Sequence, residues 1–225
     1  MNIKKTIRIY LTGFLGFLSV LSVTAQEKVT KYDLASLFEG NKIEAFNRQI
    51  TAFSENGKKG IRFSKNANDG IGWLKEVEFS NGTIELDIRG KDVLQQSFVG
   101  VAFHGVDNET LDAIYFRPFN FRADDPVRKI HAVQYISHPD FTWSFLRENH
   151  NGKYEKAVTP APDGNEWFHA RIVVQYPRVT VYVNGNPEPS LSTDKLSNRK
   201  TGKIGLWVGN GSDGDFANLQ ITTYD

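Results

Sequence analysis

The sequence predicts an all-β protein, a two-sheet antiparallel β-sandwich, and three observations lead there. Short segments of alternating apolar and polar residues recur along the chain. On a strand such alternation makes one face buried and the other wet. Gly, Asn, Asp and Pro separate the segments, as in Asn66 to Gly70 and Asn184-Gly185, and these residues suit the backbone of tight turns. Helical periodicity is almost absent beyond residue 40, and many short strands between turn signals read as a sandwich or barrel.

The first 25 residues stand apart from the fold. Lys4, Lys5 and Arg8 precede an apolar stretch from Ile9 to Val23, which ends in Val23-Thr24-Ala25. That order predicts an export signal cleaved before Gln26. The stretch is short for a spanning helix and is broken by Thr12 and Gly13. The expectation is one domain over residues 27–225, periplasmic or extracellular, with no membrane span after cleavage. Of 27 basic residues, 24 lie outside that segment, against 26 acidic ones. So balanced a charge gives no electrostatic reason to bind nucleic acid. There is no cysteine, which excludes a disulfide framework and a thiolate zinc site. Composition leaves the oligomeric state open.

The elements follow in chain order. Tyr32 to Leu37 invites a short helix or turn. Ile61 to Ser64 is a short strand, and Gly72 to Phe79 is another, closed by Asn81-Gly82. Thr83 to Arg89 alternates strictly, which places Glu85 and Asp87 together on a polar face and Ile84, Leu86 and Ile88 on the other. Ser97 to His104, Ala113 to Phe121, Ile130 to Ile136 and Thr142 to Glu148 are further strand candidates. VGVAFHG (99–105) and AIYFRPFNF (113–121) are apolar on both sides, as in strands covered on both faces. Trp167 to Tyr176 alternates, Arg178 to Val183 runs into the Asn184-Gly185 turn, and Lys203 to Val208 and Phe216 to Thr223 close the chain.

The last third, EWFHARIVVQYPRVTVYVNG (166–185) followed by TGKIGLWVGNGSDGDFANLQI (201–221), resembles the concanavalin A-like sandwich domains, including the laminin-G-like ones. A Trp opens a strand, a hairpin ends in Asn-Gly, and G-x-I-G-L precedes a late F-x-N-L. The front half, with DLASLFEGNKIEAFN (33–47), EFSNGTIELDIRG and VGVAFHG, resembles the secreted bacterial 3-keto-disaccharide hydrolase-like family. It departs from that family's N-S-G-I at Gln96-Ser97-Phe98-Val99. The resemblance implies a concanavalin A-like jelly roll and a carbohydrate-related role.

Four groups of residues are candidates for chemistry. Glu85, Asp87 and Arg89 are similar to the E-x-D-x-E strand of family-16 glycoside hydrolases. Retaining hydrolysis needs two carboxyl groups about 5–5.5 Å apart. Arg89 stands where the third carboxylate belongs, and a guanidinium is no general acid at neutral pH. A solvated strand face with an Asp87–Arg89 pair is therefore the expectation. The second group, residues 114–145 with His104 from the neighbouring segment, mixes aromatics with polar side chains, the combination that grips a sugar by its C–H face and its hydroxyls. His104, Tyr115, Arg117, Asn120, His131, Gln134, Tyr135 and Trp143 are the candidate ligand residues, with half-buried core as the alternative. If 113–121 is one strand, Tyr115 and Arg117 share a face. His104 would share a face with Gly100 and Ala102, whose small side chains leave room above the sheet. Third, the five histidines form no H-E-x-x-H, and no G-x-S-x-G occurs. Fourth, the acidic loops 107–112, 122–126 and 211–216 are turn chemistry that could also hold calcium. No other cofactor is expected.

Three functions follow. The first is glycan binding on a concave sheet face. The second, from the family resemblance, is a glycoside-processing hydrolase or lyase. The third is an adhesion or structural module.

Overall fold

A computed structural model describes residues 27–224; the export segment expected at 1–25 lies outside them. Strand β1 (Glu27–Tyr32) is followed by helix α1 (Leu34–Glu39), β2 (Ile43–Phe46), β3 (Ile50–Glu55), β4 (Lys58–Phe63), β5 (Gly70–Phe79), β6 (Gly82–Arg89), β7 (Val99–Gly105) and β8 (Asp112–Phe116). Then come α2 (Pro126–Lys129), β9 (Val133–Ser137), α3 (Trp143–Asn149), β10 (Glu155–Lys156), β11 (Phe168–Gln175), β12 (Arg178–Val183), β13 (Leu191–Asp194), β14 (Gly202–Val208) and β15 (Gly214–Tyr224).

The strands form two antiparallel sheets. The first has the order β13-β12-β11-β6-β15-β4-β3, with β1 also paired to β15; the second has the order β10-β9-β8-β7-β14-β5-β2. Crossovers between the sheets make this the jelly-roll sandwich that the sequence predicts. Ile84, Leu86 and Ile88 of β6 are wholly buried. Phe116 of the second sheet meets Phe168 of the first edge to face at 4.9 Å, and on the first sheet Phe63 meets Phe216 at 5.2 Å. Removing such a ring costs about 3–5 kcal/mol. Among the described residues, no helix is long and apolar enough to cross a membrane.

Strands β7 and β8 are buried at every position, as the apolar runs at 99–105 and 113–116 imply, and so is β9 despite Gln134 and Ser137. Three expectations need correcting. Ala113 to Phe121 is not one strand: β8 stops at Phe116, and Pro118–Asn120 make a 3-10 turn, because Pro118 has no N–H for a ladder. The stretch from Ile130 opens as a helix end, so β9 starts only at Val133. Thr142 to Glu148 is helical. The Thr142 hydroxyl accepts from Phe145 N and caps α3, and capping is a stronger local signal than a few alternating apolar residues.

Candidate functional site

The outer face of the second sheet is built from two rows of neighbours. The first row runs Ile136–Ala113–Ala102–Gly205–Trp73, and the second Glu155–Gln134–Tyr115–Gly100–Trp207–Ile71. The small residues do leave room, and tryptophan fills it. A side chain at Gly105 or Gly205 would collide with the Trp73 ring. Trp207 packs on Tyr115 with ring centroids 5.0 Å apart. Trp73, Tyr115 and Trp207 are at most 3% exposed.

The eight candidate ligand residues divide into three sets. Tyr115, Arg117, Asn120, His131 and Gln134 converge in one network. Arg117 donates to Tyr115 Oη, to Gln134 Oε1 and to the His131 carbonyl, and Tyr115 donates to Gln134 Oε1. Asn120 donates to the same His131 carbonyl. Their common counter-ion is Glu155, absent from the sequence reading. It is 2% exposed and lies 2.8 Å from His131 Nδ1, 2.9 Å from Arg147 Nη2 and 3.6 Å from Arg117 Nη1. All five candidates are buried. Burial pushes the Tyr115 phenol up to about 12 despite Arg117.

His104 and Tyr135 form the second set and point between the sheets. A bulge where Ile204 of β14 faces two β7 residues, Phe103 and His104, breaks the alternation, and His104 takes φ +48°. A bulge inserts one residue and re-aims the next side chain. His104 therefore does not share the face of Gly100 and Ala102. It stacks on Phe79, bonds the Ser80 carbonyl at 2.8 Å and accepts from Lys195 Nζ at 2.9 Å. Tyr135 Oη accepts from Leu196 N. Trp143 alone is exposed, 50%, with Arg147 over its ring.

Open space lies beside this network. A groove of about 820 Å³ is lined by Phe46, Asn47, Asn68, Asp69, Asn210 and, from loops at the opposite strand ends, Asn108, Glu109, His138, Pro139 and Thr142. Asn47 ties its rim together by donating to the Ala67 and Asp69 carbonyls at 2.8 Å. Buried Arg48 spends its guanidinium on the Asn47, Asn68 and Gly209 carbonyls. Asp69 lies against Trp207 and the Asn210 amide, yet Trp207 Nε1 is buried without a hydrogen-bond partner among the described residues. Burial raises the Asp69 carboxyl above its usual range, opposed by His138 and Arg48. Burial lowers His138, opposed by Asp69 and reinforced by Arg199. The proton affinities of a carboxyl and an imidazole on one groove are thus drawn toward each other, the arrangement that acid–base work needs. Asp69 was missed because Asn-Asp-Gly reads as a turn.

The opposite face of the sandwich carries Glu85 and Asp87 side by side, as expected. Asp87 does not pair with Arg89. It binds Lys58 at 2.5 Å, His169 at 2.9 Å and Asn218 at 2.7 Å, while Arg89 binds Asp215. Of the acidic loops, Asp107 caps its own turn through Glu109 N and Thr110 N, Asp125 caps α2, and Asp213 pairs with Lys91. Among the described residues, no three His, Cys, Asp or Glu side chains are grouped to hold a metal.

Residues 33–222 match the 3-keto-alpha-glucoside-1,2-lyase-like domain family. The chain belongs to that family. Its fold is shared with carbohydrate-binding module CBM66 from Bacillus subtilis, 16% identical, covering 80% of this chain and 94% of that one with a TM-score of 0.56. A Bacillus subtilis protein of galectin-like fold is 10% identical over 90% of this chain and all of its own length, 100%, with a TM-score of 0.59. The VIP36 exoplasmic/lumenal domain, in a form bound to calcium and Man3GlcNAc, is 9% identical over 86% and 87% of the two chains, with a TM-score of 0.54. At these identities the likeness is one of fold. No curated protein matches the chain.

Proposed function

We propose that this family member is an exported saccharide-binding sandwich that seats its ligand in the Asp69–His138 groove, the concave side of the second sheet. The observation that carries the reading is that groove, lined by four asparagines, the carboxyls of Asp69 and Glu109 and the His138 imidazole. Amides and carboxylates pair with hydroxyls in both directions. Exposed Trp143 follows the groove residue Thr142 and offers a ring for a C–H face. The buried Tyr115–Arg117–Gln134 network is the wall that holds the loops in place. Calorimetry with glucosides and 3-keto-glucosides tests the reading. Micromolar to millimolar binding that Asp69→Asn weakens supports it; no heat with any saccharide refutes it.

A second reading, cleavage, is favoured by the opposed shifts of Asp69 and His138 and by the lyase-like family. In a 3-keto-glucoside the C2 proton is acidified by the neighbouring ketone. Neutral His138 takes that proton, and the electron pair forms the C1=C2 bond as the C1–O bond breaks. Protonated Asp69 gives its proton to the departing oxygen. The products are an unsaturated ketone and the free alcohol. Its ultraviolet absorbance should rise when the protein meets a 3-keto-glucoside. Asp69→Asn and His138→Gln should each slow the rise by about 10²–10⁴-fold. An unchanged rate in both variants would remove the pair from the chemistry.

A further inference from the structure

Behind His138 lies a second polar cluster, buried at its centre. Its centre is Asp112, wholly buried on β8. Asp112 accepts from Lys195 Nζ, from Ser197 Oγ at 2.8 Å and from Arg199 Nη2 at 2.8 Å. Lys195, Ser197 and Arg199 all come from the segment that leaves β13 of the other sheet. Arg199 Nη2 also donates to Ser137 Oγ at 2.9 Å. Ser137 is the last residue of β9, and His138 comes next; the His138 amide donates to Leu111 O at 2.8 Å, directly before Asp112. One guanidinium therefore grips the residues adjoining both ends of the hydrogen bond that holds the histidine.

We propose that Arg199 is a positioning residue for His138, bracing the backbone that carries the imidazole into the groove and setting a positive charge behind it. The inference rests on the groove being the ligand site. Arg199, 22% exposed at its side chain, brings its positive charge to Ser137, the residue before His138. Asp69 opposes it from the β5 side, and Glu109 lines the same groove from the β7–β8 loop. Asp112, by neutralising Lys195 and Arg199 in part, leaves the cluster with one net positive charge. A like charge disfavours protonation of a neighbour, so the cluster adds to burial in lowering the proton affinity of His138, against Asp69.

The test is an NMR titration of the His138 ring in the full-length protein, compared among wild type, Arg199→Gln, Arg199→Lys and Ser137→Ala. In Arg199→Gln the His138 pKa should rise by about one pH unit, and any saccharide affinity or lyase rate should show its acid limb displaced upward by the same amount. Arg199→Lys keeps the charge, so its His138 titration should stay near wild type. Ser137→Ala keeps the charge and cuts one grip, so the ring resonances should shift with little change in pKa. A His138 titration that is the same in wild type and Arg199→Gln overturns the proposal, as does an Arg199→Lys variant that titrates like Arg199→Gln. Absence of saccharide binding in wild type would count against the groove reading instead, and the titration would still decide the role of Arg199. Should Arg199→Gln not fold, Arg199→Lys and Ser137→Ala decide: the proposal falls if Arg199→Lys raises the His138 pKa by as much as about one unit, or if Ser137→Ala leaves the ring resonances unmoved.

Discussion

Glu155→Gln isolates the energy of one buried charge. Glu155 is 2% exposed, and its carboxylate meets Arg147 in a forked contact at 2.9 and 3.2 Å, His131 Nδ1 at 2.8 Å and Arg117 Nη1 at 3.6 Å. Glutamine keeps the shape and one acceptor oxygen but removes the charge. Two guanidinium groups, one of them only 5% exposed at Arg117, are then left without a counter-ion. Breaking a buried pair by neutralising one partner costs about 3–5 kcal/mol. For a chain of this size that lowers the melting temperature by about 10 °C. The pair Arg178–Asp194 is the control: its atoms approach to 3.1 Å, but its side chains are 58% and 59% exposed. Losing it should cost well under about 1 kcal/mol. Urea denaturation at pH 7, followed by tryptophan fluorescence and circular dichroism, gives both numbers. A Glu155→Gln loss below about 1 kcal/mol would refute the reasoning, for it would mean that water already reaches the cluster.

Three further outcomes are expected. His169 has its pKa raised by Asp87, 2.9 Å from Nδ1, so its protonated form favours the folded state: the stability that His169→Gln removes should be fully present below about pH 6.5 and fade as pH rises through the raised value, as urea midpoints at pH 5.5 and 8.5 would show; a larger effect at the higher pH would contradict the sign. Gly100→Ala should destabilise by about 3 kcal/mol or more, because its Cβ would lie 2.1 Å from the Ile114 carbonyl oxygen, and a near-wild-type denaturation midpoint would show that β7 and β8 can part. Phe168→Ala should lose about 3–5 kcal/mol in the same assay, since the ring packs on both Phe116 and Phe121.

Much of the fold was legible because its signals were local. Strict alternation placed β6 with Ile84, Leu86 and Ile88 inward, and Asn184-Gly185 ended β12 where the structure ends it. The doubly apolar runs correctly announced strands covered on both sides. What failed depended on partners far away in sequence. No local pattern tells that Ile204 will face two residues of β7 and turn His104 inward. The edge strands β1, β2 and β3 are half polar and carry no clean period, so register with β15, β5 and β4 respectively defines them, not composition. At the site, the aromatic–polar mixture after residue 103 marked a real network, but mixture alone does not tell wall from opening. Glu155 and Asp69 gained their importance from Arg147, His131 and His138 around them, and nothing beside them in sequence signals that.

The filling of the second sheet's outer face by tryptophan gives the protein an optical readout of its own. Of the four tryptophans, Trp73 and Trp207 are dry, Trp167 is half-buried between Lys58 and Arg89 on the far face, and Trp143 stands in water beside the groove. Their emission should therefore separate by wavelength, blue for the buried pair and red for Trp143. Acrylamide should quench Trp143 first. A ligand entering the groove would dim or shift the red component while leaving the blue one as an internal reference, so occupancy could be followed without a label.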